Sequence, residues 1–268
     1  MSATISPLKL LDQGAALLGA RGFRPALWFY AGALPWCAGL LAVWTRLASW
    51  HTAAAAYAGA ALLLSLLYAW HGFCSSRAME ALDPAPPLPW AARCLRDLQN
   101  TGMRAVWLVA GCFSFLIWTS TFYVAGLYFP LELRAAPGRK APARAALVES
   151  VRLSGSWYKR QQLFALHCLL MAVCVAVNLA AAAFAVPYLL KSLLGVSSLW
   201  TRISPRFLLL NSTFWIGLLL LTYLLMAPLV LAAAAVSYDE LKNRRTGGDL
   251  RRELALLQQE RARVVVVE

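Results

Sequence analysis

Five stretches of this chain run for at least twenty-one residues without one Lys, Arg, Asp or Glu: Pro25–Thr45, Ala53–Phe73, Ala105–Phe129, Leu163–Val186 and Phe207–Val236. An α-helix rises 1.5 Å per residue, so about 20 residues cover the ~30 Å hydrocarbon core of a bilayer. A soluble helix is apolar along a stripe, seldom all round for that length. The stretches therefore predict an all-α polytopic membrane protein with five apolar segments. Composition agrees: 60% of the 268 residues are hydrophobic and 14% are charged, where a soluble domain has about a quarter charged. Trp28, Tyr30, Trp44, Trp50, Trp70, Trp107, Tyr128, Phe129, Tyr188, Trp200 and Tyr238 lie near run ends, as an interfacial aromatic belt does.

The net charge is +13, and all 25 cations lie between the runs or at the ends of the chain. Five crossings would split them 10 against 15. An even number gathers the N-terminal arm, 74–104, 130–162 and the tail on one side, with 21 cations against 4. Cytoplasmic loops carry the Lys/Arg excess, so the even arrangement is preferred, with both termini cytoplasmic. Ala105–Leu133 then crosses twice or returns as a re-entrant hairpin, with Thr119-Ser120-Thr121 or Gly126 at its turn. Juxtamembrane placement also explains the basic residues without nucleic acid. The arm lacks the short apolar core and small-residue cleavage site of a signal peptide, so the expected location is a bacterial inner membrane, multi-pass.

Short amphipathic helices precede three runs. In the first, Ser6 is a candidate N-cap and Pro7 the first helical residue, with Leu8, Leu11, Ala15 and Leu18 on one face and Gly19 and Gly22 at the end. "AARCLRDLQNTGMRAVWLV" repeats the scheme with Gly102 and Arg104. "RAALVESVRLSGSWYKRQQLFAL" repeats it again, with Leu147, Val148 and Val151 on one face, then Gly155, Lys159 and Arg160. Helix, glycine, cation and span recur as a duplicated unit would. "DPAPPLP" at 83–89 reads as a stiff loop.

"LLDQGAALLGARGFRPAL", "ALVESVRLSGSWYKRQQLF" and "AVSYDELKNRRTGGDL" resemble the start, middle and end of bacterial glycerophosphoryl diester phosphodiesterase membrane-domain proteins. The resemblance implies six spans with both termini inside. The chain departs from it at Ala105–Leu133, where a pair of spans is expected. The family takes its name from fusion to a phosphodiesterase domain that this sequence lacks, so the name implies no activity here.

After the last run, Lys242, Arg244 and Arg245 form a basic collar and, with Lys159 and Arg160, are candidate contacts for anionic headgroups. Gly247-Gly248 divides an integral membrane domain, 1–248, from a cytoplasmic amphipathic tail, 249–268. Asp249 caps a candidate docking helix with Leu250, Leu254 and Leu257 on one face, and "VVVVE" closes the chain as a frayed end.

Little in the chain points to chemistry. Cys37, Cys74, Cys94, Cys112, Cys168 and Cys174 make no C-x-x-C and read as small hydrophobes. His51, His71 and His167 have no metal-ligand spacing, and His51 and His71 flank the second run as interfacial residues. His167 and Asn178 share a face inside a span, and Asn211 opens the last one. Such groups serve function or, more often, interhelical hydrogen bonds. There is no phosphate loop, no Ser–His–acid set and no expected catalytic residue, metal or cofactor. The reading is a noncatalytic membrane protein, a scaffold or assembly subunit with the bilayer and a membrane or cytoplasmic protein as partners. The alternative is a transporter or pore for a small or lipidic solute. Oligomeric state is open.

Overall fold

A computed structural model describes residues 6–47, 54–82, 89–113, 119–135, 142–156, 158–195 and 211–247. These residues form eight helices and no strand: α1 Pro7–Ala20, α2 Arg24–Leu47, α3 Ala54–Leu82, α4 Trp90–Phe113, α5 Thr119–Ala135, α6 Pro142–Ser156, α7 Tyr158–Leu194 and α8 Ser212–Thr246. Four are long and apolar enough to cross a membrane: α2, α3, α7 and α8.

The fifth apolar run is not one helix. It is divided between α4 and α5, which pack on each other, and neither is among the four. Gly126 lies within α5 and Thr119–Thr121 begin that helix, so Gly126 is no turn residue. Two long helices outrun their apolar cores. α3 continues nine residues past Phe73, and α8 continues ten past Val236. The α3 extension is largely buried, and the α8 extension buries Ser237, Tyr238 and Leu241.

Helix α8 is the hub, packed against α1, α2, α3, α5 and α7. Its Ala232, Ala233, Ala234 and Ala235 are at most 2% exposed. They are small enough for α1 to come close: a Cβ on Gly14 would lie 2.7 Å from the Ala233 nitrogen. That contact turns α1. Its buried face is Leu10, Leu11 and Gly14, and Leu8 of the expected face is 60% exposed. The Ser6 cap forms as expected, its Oγ accepting from Lys9 N at 3.3 Å. Gly22, at φ 68°, breaks the chain between α1 and α2. Gly247, at φ 65°, ends α8 with its N–H donating to the Asn243 carbonyl.

The α2–α3 pair is antiparallel, with Gly32 against His71 and Cys74 and Gly39 against Leu67. α3 and α4 are antiparallel too: Gly72 meets Thr101, Ser76 meets Asp97, and Glu80 meets Arg96. α5 then returns Arg134 to the same end of α3, at Ser76 and Met79. The start of α7 meets the end of α8 through Arg160 and Glu240. One end of the bundle thus collects the ends of α3, α5 and α8 and the starts of α4 and α7.

The expected faces of α6 are also rotated. Ala146, Ser150, Leu153 and Ser154 are buried, while Val148 and Val151 are exposed. The aromatic belt is split: Trp44, Trp70 and Tyr188 are exposed, whereas Tyr128, Phe129 and Tyr238 are at most 3% exposed. His51, Trp50, Trp200, most of the 83–89 loop, and the tail with Leu250, Leu254, Leu257 and "VVVVE" lie outside the described residues.

Candidate functional site: a buried polar network at one end of the bundle

The gathered ends bring charges together that lie far apart in sequence. On α3, Arg77 reaches Glu80 Oε2 at 2.7 Å and Asp97 Oδ2 of α4 at 2.9 Å. Arg96 of α4 returns to Glu80 Oε1 at 2.7 Å. Ser76 Oγ donates to Asp97 Oδ1 at 2.8 Å. The two acids and two arginines so alternate in one cluster, and Arg96 and Asp97 are nearly sealed, 6% and 4% exposed. Buried charges are tolerated when each is paired and hydrogen-bonded; breaking such a set by removing one member costs about 3–5 kcal/mol.

Arg134 closes the cluster from α5. Its guanidinium donates to the Met79 carbonyl at 2.7 Å and the Ser76 carbonyl at 2.8 Å. Met79 lies in the last turn of α3, whose carbonyls have no partner further along the helix. The arginine therefore caps α3 from outside it.

A second node joins α5, α7 and α8. Gln161 Nε2 donates to Tyr128 OH at 2.8 Å, and that hydroxyl shares a 2.8 Å bond with Ser237 Oγ. Tyr238 OH donates to Glu132 Oε1 at 2.9 Å, and Lys242 Nζ donates to Tyr238 OH at 2.8 Å. Glu240 takes Arg160 from α7 and Arg244, at 2.8 Å, from its own helix. Arg245 pairs with Glu149 of α6.

A third polar site lies deeper. His71 Nε2 and Tyr223 OH are 2.7 Å apart, and Trp36 stacks on the imidazole at 5.6 Å with Phe29 edge-on at 5.7 Å. His71 is 4% exposed, so it is an interior residue joining α3 to α8 rather than an interfacial one.

An open groove of about 780 Å³ runs between α7 and α8. Leu166, Leu169, Met226 and Val230 make it apolar, with Gln162 at one end and Tyr223 in its wall. Among the described residues no three His, Cys, Asp or Glu side chains lie together as a metal would need.

The residues expected to carry function are scattered. His167 Nδ1 donates to the Leu163 carbonyl at 2.7 Å, and Asn178 Nδ2 to the Cys174 carbonyl at 2.8 Å. Both bonds stay within α7, so neither joins two helices. Asn211 is the N-cap of α8, its side chain accepting from Thr213 N at 2.9 Å. Of the five candidate headgroup contacts, Arg160, Arg244 and Arg245 are ion-paired, Lys242 is bonded to Tyr238, and Lys159 is exposed. Cys37, Cys74 and Cys168 are buried free thiols; Cys94 and Cys174 are exposed.

Sequence reasoning missed the network. Its signal was available: in a chain with twice as many cations as acids, Glu80, Asp97, Glu132 and Glu240 each sit at or near a run end beside an arginine or lysine. An acid there is a countercharge before it is anything else. No family model, curated protein or solved structure matches the chain.

Proposed function

We propose that the protein is a noncatalytic scaffold or assembly subunit of a complex in a bacterial inner membrane. The observation that carries this reading is the direction of the polar side chains. At the gathered end the charged ones pair with one another and fasten α3, α4, α5, α6, α7 and α8 together, while the Ser75 hydroxyl and the Asn100 amide are buried there without a partner. The groove left over is apolar. A rigid end with its charges paired is suited to holding a partner in register, not to moving a proton or an ion.

The topology belongs to the same proposal. Four crossings, by α2, α3, α7 and α8, put both termini on the cytoplasmic side with the cation-rich segments. The α4–α5 pair makes no net crossing. Both its ends meet the same end of α3. From Thr101 to Phe113 the helix rises about 18 Å, and from Thr119 to Arg134 about 22 Å, each short of the ~30 Å core. That supports a re-entrant hairpin over two further spans. Membership of the glycerophosphoryl diester phosphodiesterase membrane-domain family rests on its three similar segments and is likewise part of the proposal.

The groove favours a second reading, the handling of a lipidic solute. An acyl chain fits its lining, and a charged solute does not. Purification from native membrane separates the two. A protein recovered at fixed stoichiometry in two detergents, and lost on truncation after Gly248, supports the scaffold and the docking role of Leu250, Leu254 and Leu257. Stoichiometric lipid with no such protein overturns it in favour of lipid handling.

A further inference from the structure

Helix α4 is built the reverse of a soluble amphipathic helix. At 100° per residue, Ala91, Leu95, Leu98, Gly102 and Val106 fall within one narrow stripe. Arg93, Arg96, Asp97 and Asn100 fall on the opposite side. In the fold the polar side is inside: Arg96, Asp97 and Asn100 are buried. The apolar side is outside, with Leu95 55%, Leu98 69% and Val106 59% exposed. In water this orientation discards the hydrophobic gain and still desolvates the charges. In lipid both terms reverse, because apolar side chains meet acyl chains and charges are drawn to each other.

The register against α3 places the middle of α4 beside the end of the α3 apolar run. Arg96, Asp97 and Thr101 lie beside Glu80, Ser76 and Gly72. Gly72 lies at the end of the apolar run of α3, and Ser76 and Glu80 lie one and two turns past it. α4 then continues eleven residues past Gly102 in the antiparallel direction, toward the middle of α3. Its neighbour's free surface is equally apolar, with Leu62, Leu63, Leu66 and Trp70 exposed.

We infer that the outer stripe of α4 is a bilayer-facing surface, covered by phospholipid acyl chains, and that α4 is a membrane-embedded helix worn inside out around the Arg77–Glu80–Arg96–Asp97 cluster. Its charges hide it from hydropathy. They line the inner side of α4, against α3.

The test uses the full chain in phospholipid vesicles whose acyl chains carry a photoactivatable diazirine, with adducts located by peptide mass spectrometry. Leu95, Leu98 and Val106 should be labelled in yield comparable with Leu166, Leu169 and Leu170 of α7, and Arg96 and Asp97 should not. A parallel hydroxyl-radical footprint should leave the stripe unmodified. Strong radical labelling of Leu95 and Leu98 without diazirine adducts makes the stripe aqueous and overturns the inference. So does protection from both reagents in native membrane, because a protein then covers the stripe.

Discussion

Helices α7 and α8 are nearly the same length and nearly the same composition, and they behave oppositely. α7 has 37 residues and α8 has 35. Each even contains Leu-Ala-Ala-Ala-Ala, at 179–183 and 231–235. In α8 those alanines are at most 2% exposed; in α7 no residue of the most apolar window is buried. Hydrophobicity therefore does not choose between lipid and protein, because acyl chains are as apolar as leucine. What chooses is the facing surface. The α8 alanines meet Gly14 of α1, and beyond them Ser237, Tyr238 and Glu240 bond to α5 and α7. The α7 alanines have no such sequel before Pro187.

The sharpest way to break this contrast is to fill the contact. Gly14→Leu puts a side chain where a single Cβ already lies 2.7 Å from the Ala233 nitrogen and 2.9 Å from its Cα. Backbone cannot yield as a side-chain tip can. The expected loss is at least the ~1–3 kcal/mol of ordinary overpacking, seen as a lower thermal midpoint in detergent. Ala181→Leu, the matching enlargement in α7, should leave the midpoint unchanged. Equal effects from the two would mean that α7 is packed as tightly as α8.

A smaller effect comes from the polar end. Arg134→Met keeps an unbranched apolar stem and removes the guanidinium with its two hydrogen bonds to α3 carbonyls. Bonds to a charged donor are worth about 1.5–3 kcal/mol, and Arg134 is only 6% exposed. Arg245→Met removes an ion pair whose members are 38% and 28% exposed, and water already screens it. The midpoint should fall clearly for the first and stay within error for the second. A reversed order would place the stabilising charges on the surface of the bundle rather than inside it.

The same contrast marks how far the fold was legible. The apolar runs locate the bodies of α2, α3, α7 and α8, and both ends of α2 and the start of α3 to within two residues, because burial in lipid acts on every side of a helix at once. The polar extensions of α3 and α8 were not foreseen, since hydropathy stops at the first charge and cannot tell a buried Glu80 or Glu240 from a solvated one. The helical faces failed for a related reason. On α1 and α6 an apolar stripe marks the packed side only by the rule for soluble helices, and Leu8, Val148 and Val151 of those stripes are exposed. That rule assumes water outside. The polar network was legible only as scarce acids beside cations, and its pairings needed the fold.

The smallest expected effect concerns Asn178, the polar residue most conspicuous in the α7 sequence. Its side chain is exposed and donates back to Cys174, one turn earlier in the same helix. That bond satisfies the amide donor without recruiting another helix. Replacing it with leucine removes a local bond that bends or slightly weakens the helix and adds a side chain that lipid accepts readily. The expected change is within the ~0.5 kcal/mol of an ordinary surface substitution, with any complex recovered intact from native membrane. Asn178→Leu also probes the whole account of α7. If its outer face meets only acyl chains, the variant should be indistinguishable from the parent in midpoint and in partner recovery. If the fold stays intact while a co-purifying protein is lost, Asn178 contacts that protein, and α7 is a docking face rather than the lipid-exposed counterpart of α8.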